Sequence, residues 1–151
     1  MAERRDLVTE FCRRLLEEGG AVRAGVPEAR LRIFEQLNHV TLPADMRIFY
    51  LGTDGMEYEF PFESFVRVLP IDEVVPVKRE FPGHQPEDAF LIGDAMISAH
   101  FYAIDVAGTA GAAGSVYLAD PQPLRVTRSF AEFVEEVLSD SRRLYHGDQS
   151  V

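Results

Sequence analysis

Phe65-Val66-Arg67-Val68-Leu69-Pro70 is the stretch at which the pattern of this chain changes. β-Branched and aromatic side chains follow one another, and the closing proline cannot donate to a sheet ladder, so a strand ending at Pro70 is predicted. N-terminal to it, apolar residues recur in helical steps. C-terminal to it come short apolar runs and alternations, and a last helical pattern closes the chain. Helices, then strands, then a helix predict an α+β fold.

Working outward toward the N-terminus, Leu42-Pro43-Ala44-Asp45 opens a short helix, with Pro43 near its first position, Asp45 suited to the N-terminal dipole, and Met46, Phe49 and Tyr50 facing inward. Gly52-Thr53-Asp54-Gly55 ends it as a turn. Before it, Pro27-Glu28 starts a helix ending near Asn38 or His39, in which Leu31, Phe34 and Leu37 recur at three-residue steps. The first helix covers Asp6 to Glu18, its stripe made of Leu7, Val8, Phe11, Cys12 and Leu15 and its stop of Gly19-Gly20.

Toward the C-terminus, Ile71 to Val74 reads as a short helical turn and Val75 to Phe81 as an extended piece. Phe81-Pro82-Gly83-His84-Gln85-Pro86-Glu87-Asp88 reads as a surface loop. Strands are predicted at Ala89 to Ile92, Ser98 to Val106 and Val116 to Ala119, with Asp120-Pro121-Gln122-Pro123 ending the run. Ser129 with Glu132 three residues on forms a capping box for a final helix whose apolar face is Phe130, Phe133, Val134, Val137 and Leu138. Arg142-Arg143 follows it, and the tail from His146 is expected to fray.

The 151 residues, 46% hydrophobic with 11 Phe and 5 Tyr, predict a single domain over 1–151 with one core. No apolar run reaches the roughly 20 residues of a membrane span, and the acidic start Met1-Ala2-Glu3-Arg4-Arg5-Asp6 lacks a signal-peptide core, so a cytoplasmic location is expected. Cys12 stands alone and reads as a small buried hydrophobe. The net charge of −10 argues against nucleic acid and anionic membranes as partners. Its distribution is uneven: residues 43–105 hold twelve acids against four bases, whereas residues 1–42 hold seven of each. Such an excess speaks first to solubility; the sharper reading is a face complementary to a basic partner.

No sequence motif marks an active site. Gly108 to Gly114 lacks the Gly-Lys-Ser/Thr ending of a phosphate loop and precedes a strand, so it reads as a hairpin connection. His39, His84, His100 and His146 are scattered without metal-ligand spacing, so no metal and no cofactor is expected. A hydrolase would have to use Asp94, Asp105 and His100, a set that needs neighbouring strands and a pocket to shift pKa values.

From the second helix onward the order of pieces resembles the SUKH superfamily, which includes a fungal cell-wall regulator and many bacterial proteins encoded beside secreted toxins. The resemblance runs over residues 28–139. It rests on Phe34-Glu35 with Leu42-Pro43-Ala44-Asp45; on Phe49 to Gly55 as a helix ending in a polar-glycine turn; and on Phe65 to Val74 as a strand with a short acidic helix. It continues with Phe90-Leu91-Ile92-Gly93-Asp94 and Phe101-Tyr102-Ala103-Ile104-Asp105 as paired strands, and with Val116-Tyr117-Leu118-Ala119-Asp120 followed by Ser129-Phe130-Ala131-Glu132-Phe133-Val134. Departures fall at Ala95-Met96-Ile97-Ser98-Ala99, where glycines are common in the family, and at the longer Met56 to Ser64.

The resemblance implies N-terminal helices and a C-terminal helix packed on a mostly antiparallel sheet, used for binding another protein without catalysis. In bacteria that role is immunity, in which the domain neutralises a toxin, often a nuclease and therefore basic; in the fungal relative it is regulatory. Asp54, Glu57, Glu59, Glu63 and Asp94 are then the expected charged contacts, and Tyr58 or Phe60 the aromatic anchors. Phe60, Phe62 and Phe65 also admit a plain structural reading as core residues. The oligomeric state is not encoded in any motif found.

Overall fold

The structure is a computed structural model that describes residues 2–59, 61–62, 64–82, 89–95, 100–107, 113–119, 124–139 and 143–146, the residues 2–6, 143 and 146 by backbone alone. Helices α1 (Ala2–Glu17), α2 (Glu28–Asn38) and α3 (Ala44–Gly52) come first. Then follow β1 (Val66–Val68), a 3₁₀ turn (Ile71–Glu73), α4 (Val77–Glu80), β2 (Ala89–Ala95), β3 (His100–Asp105), β4 (Ser115–Leu118), β5 (Leu124–Thr127), α5 (Phe130–Ser139) and α6 (Arg143–His146). The sheet has the order β1-β2-β3-β4-β5 with every pairing antiparallel, the α+β architecture expected.

Local chemistry explains the ends of the helices. After α1, Gly19 N–H donates to the Leu16 carbonyl and Gly20 N–H to the Leu15 carbonyl, the paired bonds of a Schellman stop. Helices α2 and α3 begin behind Pro27 and Pro43, which present no N–H of their own at a position where none is needed. Ser129 accepts the Glu132 N–H at 3.1 Å through Oγ, the expected cap of α5. A second acceptor serves the same helix start: the Asp45 carboxylate takes the Met46 N–H of its own helix and the Ala131 N–H of α5, both at 2.9 Å. One acid thus caps two helices that are far apart in the chain.

Register divides the sheet into two faces, since directly paired residues point the same way. Val66, Val68, Phe90, Tyr102, Ile104, Val116 and Leu118 share the face toward the helices, all buried. An aromatic series ties the layers together there. Phe11 of α1 meets Phe49 of α3 at 5.1 Å, Phe49 meets Phe130 of α5 at 5.2 Å, and Phe133 meets Tyr102 of β3 at 5.3 Å. Phe34 of α2 reaches Phe90 at 5.7 Å. Each such ring pair adds about 0.5–1.5 kcal/mol beyond its area burial. Gly93 lies at an irregularity in the β2–β3 register, and a Cβ there would come within 3.0 Å of both the Phe133 ring and the Arg67 carbonyl oxygen. The missing side chain is what lets α5 settle on the sheet.

Several expectations are corrected. Val75 to Phe81 is not a strand: Pro76 makes an isolated bridge with Phe90, and the chain then turns at once into α4 with Val77 buried. A proline that has no N–H to extend a ladder, but a φ suited to a helix start, accounts for the switch. Strands do not end at Pro123, because β5 follows, pairing Val116 with Thr127 and Leu118 with Leu124. The strand after Ala89 runs on to Ala95. Leu37 is 74% exposed although Leu31 and Phe34 of its stripe are buried, because three-residue steps drift around a helix of 3.6 residues per turn. Phe65 is 52% exposed and takes a positive φ of 55°, outside the strand it was expected to open. The predicted loop over 83–88, most of the Gly108 to Gly114 connection, the 120–123 segment and the tail beyond 146 lie outside the described residues. No helix among the described residues is long and apolar enough to cross a membrane.

Candidate functional site

Arg67 is the residue around which the expected contacts assemble. It stands on β1, opposite Asp94 of β2, on the sheet face turned away from the main helices. Its guanidinium forks onto the Asp94 carboxylate, Nε to Oδ1 at 3.2 Å and Nη2 to Oδ2 at 2.9 Å. The remaining hydrogens reach the Glu73 carboxylate at 2.9 and 3.3 Å and the Glu57 carbonyl oxygen at 3.1 Å. One partly buried cation therefore fixes three pieces of chain: the strand partner, the 3₁₀ turn and the segment bearing Glu57, Tyr58 and Glu59. Burial pulls the Arg67 pKa down, but hydrogen bonds to Asp94 and Glu73 outweigh it and hold it above its ordinary value.

Asp54 performs a comparable task one turn earlier. Its Oδ1 accepts the Ile71 N–H at 2.8 Å, capping the 3₁₀ turn, while Arg23 lies 3.4 Å from Oδ2 and donates through Nε to the Asp54 carbonyl at 3.2 Å. Gly55 makes this possible with φ of +69°; a Cβ there would stand 2.7 Å from the carbonyl oxygens of Val68 and Leu69. The turn is thereby locked against β1, and Met56 N–H donates to the Val68 carbonyl at 2.8 Å.

The expected contacts thus divide by environment. Asp54 and Asp94 are largely enclosed, each holding an arginine of its own chain. Glu57 is exposed and Tyr58 is 56% exposed, while Glu59 is half-buried. Phe60 and Glu63 lie outside the described residues. Phe62 is core, packed against Phe11. Sequence reading passed over Arg67, whose role depends on a partner 27 positions away, and over the exposure of Phe65. A bulky residue in the left-handed region is rare enough that its φ draws notice once coordinates exist, but no sequence signal announces it.

Beside Glu57 and Tyr58 lies a cleft of about 150 Å³, lined by Leu15, Gly19, Gly20, Ala21, Met56 and Pro61 as well. A shallower basin of about 510 Å³ lies along α2 and its C-terminal turn, lined by Arg32, Glu35, Gln36, His39, Val40 and Thr41.

The residues of the hydrolase alternative do not converge. Asp94 pairs with Phe101 and Asp105 with Ala89, so four residues of β3, or roughly 13 Å, separate the two acids. His100, opposite Ala95, points to the other face from Asp94 and meets the Tyr145 ring at 6.0 Å. A general base must reach its proton directly or through one water, which this spacing denies. Among the described residues no three His, Cys, Asp or Glu side chains gather as a metal cage.

The architecture defined so far is an α+β domain with helices on one face of an antiparallel meander and an arginine-organised acidic turn on its edge. The chain belongs to the SMI1 / KNR4 family (SUKH-1), whose model matches residues 25–136. That span runs from the connection before α2 into α5 and includes the Asp54 turn, Arg67 and the Ile92-Gly93-Asp94 bulge. No curated protein matches the chain.

Proposed function

We propose that this chain is a non-catalytic protein-binding domain of the immunity type, which neutralises a basic toxin, such as a nuclease, through the acidic surface beside β1. The observation that carries the reading is the pinning of the Glu57–Tyr58 segment against Glu73 by Arg67. The exposed Glu57 carboxylate and the exposed Tyr58 ring sit on a backbone tied to Arg67 at the Glu57 carbonyl, so binding needs less ordering of the loop. Net charge supports the same choice of partner: a surplus of ten acidic charges steers a cationic protein toward the domain and repels nucleic acid. A nuclease is cationic where it holds its substrate, so an acidic cover competes for the same surface.

Asp54 and Asp94 serve this surface from beneath, as positioning residues. Glu57, Tyr58, Glu59, Phe60 and Glu63 are its proposed contacts, and the cytoplasm its proposed location.

Co-expression of the chain with the product of the adjacent gene tests the reading. Protection of the cells from that product, lost when Glu57, Glu59 and Glu63 are all replaced by Lys, is the expected result. Binding and salt dependence unchanged by the triple replacement would put the interface elsewhere. A neighbouring gene without toxicity, with binding retained, would assign the domain to regulation instead.

A further inference from the structure

Acidic residues around β1 are answered, one after another, by arginines of the same chain. Asp54 faces Arg23, Asp72 pairs with Arg30, and Glu73 and Asp94 share Arg67. Glu57 breaks the series: among the described residues no cation lies within ion-pair distance of its carboxylate, and Arg67 touches only its backbone carbonyl. Glu57 lines the 150 Å³ cleft together with the half-exposed Tyr58.

The cleft is too small for a cofactor or metabolite site, which occupies about 300–1,000 Å³. It suits one long side chain. Its lining is apolar or lacks side chains: Gly19, Gly20 and Ala21 supply the accessible part, and the buried Leu15, Met56 and Pro61 lie behind them. The glycines and Ala21 continue from the C-terminal end of α1, a 16-residue helix whose dipole adds negative potential there. A small, largely apolar cleft with an acid and an aromatic residue in its lining matches a side chain with an aliphatic stem and a planar cationic head.

We propose that this cleft receives a single arginine side chain of the partner protein, with the methylenes along the accessible Gly19, Gly20 and Ala21 and the guanidinium between the Glu57 carboxylate and the Tyr58 ring. Arginine fits better than lysine because its flat head forks onto a carboxylate and stacks on an aromatic ring at once. The inference rests on the protein-binding reading above and names the chemistry of its central contact.

The test uses the isotope-labelled full chain and N-acetyl-arginine-N-methylamide as probe, with the isosteric, neutral citrulline derivative as control. Saturable amide shifts at Gly19, Gly20, Ala21, Met56, Glu57 and Tyr58 are expected from the arginine compound. Glu57→Gln should weaken them about tenfold and Tyr58→Leu about threefold, with backbone dispersion otherwise unchanged. Equal shifts from the citrulline compound, shifts centred on other residues, or an unchanged titration in Glu57→Gln would overturn the assignment.

The same variants, applied to binding of the neighbouring gene product, separate the two levels of the argument. Full affinity retained by Glu57→Gln and Tyr58→Leu, alongside loss on Lys replacement of Glu59 and Glu63, would remove the cleft and keep the protein-binding role. Occupation of the cleft by the arginine compound, with no protein partner bound by the wild type, would do the reverse.

Discussion

Replacing Arg67 with Met removes the cation that holds the acidic turn together while keeping most of its aliphatic bulk. The Asp94 side chain, 7% exposed, then loses the two hydrogen bonds and the charge of its arginine. Loss of one partner from a buried pair costs about 3–5 kcal/mol, mainly through the charge left behind. The Glu73 contact adds little, about 0–1 kcal/mol, since that carboxylate is half exposed and stays hydrated. Arg67 itself retains 14% of its side-chain accessibility, so water can follow into the vacated space, which places the expected loss near the lower bound, about 3 kcal/mol. Equilibrium urea unfolding at neutral pH measures it, as a lowered midpoint with an unchanged slope. The double variant Arg67→Met/Asp94→Leu supplies the control. With both charges gone it should return to within about 1 kcal/mol of the wild type. A single variant that loses less than about 1 kcal/mol, or a double variant no better than the single, would refute the claim that Arg67 matters by neutralising Asp94.

Asp45→Ala should cost about 2 kcal/mol, more than the roughly 1 kcal/mol of Ser129→Ala, because the carboxylate serves two helix starts; faster hydrogen exchange at the Ala131 amide would show the loss directly. Phe65→Asn should leave stability unchanged or raise it by up to about 1 kcal/mol, since Asn tolerates the left-handed region and the ring is half in solvent; a loss above that in thermal unfolding would mean the ring is needed for packing. Burial pushes the Cys12 thiol above its ordinary value, and a hydrogen bond with Thr53 offsets this only in part. The thiolate is the reactive form, so iodoacetamide should label Cys12 more slowly than a cysteine peptide at pH near 8, with the gap closing as pH rises; equal rates at that pH would contradict the shift.

What the sequence disclosed was what short-range chemistry decides. Pro43, Ser129 and the glycines after α1 mark helix ends through bonds made within a few residues, and Met46, Phe49, Tyr50 and the α5 stripe face the core as their spacing requires. Elements that depend on distant partners were misread. β5 is only four residues long, follows two prolines and buries only Val126 and Thr127; it is a strand because β4 lies beside it. α4 owes its place to the Pro76 bridge with Phe90 and to the burial of Val77. At the candidate site the acids themselves were legible from composition. Which of them are spent inside the molecule depends on Arg23 and Arg67, and pairings of 31 and 27 positions leave no periodic trace.

The carboxylate that Asp45 lends to α5 has a consequence for how the molecule comes into being. Acceptor and donor stand 86 positions apart, so ribosomes working at 5–20 residues per second need roughly 4 to 17 seconds to deliver the second after the first. Throughout that interval Phe49 and Tyr50 lack the ring of Phe130, and the β-meander is itself still growing. A nascent chain halted before α5 therefore exposes an aromatic surface suited to chaperones and aggregation, and a product truncated there should be cleared by proteases even though the proposed contact residues are all present.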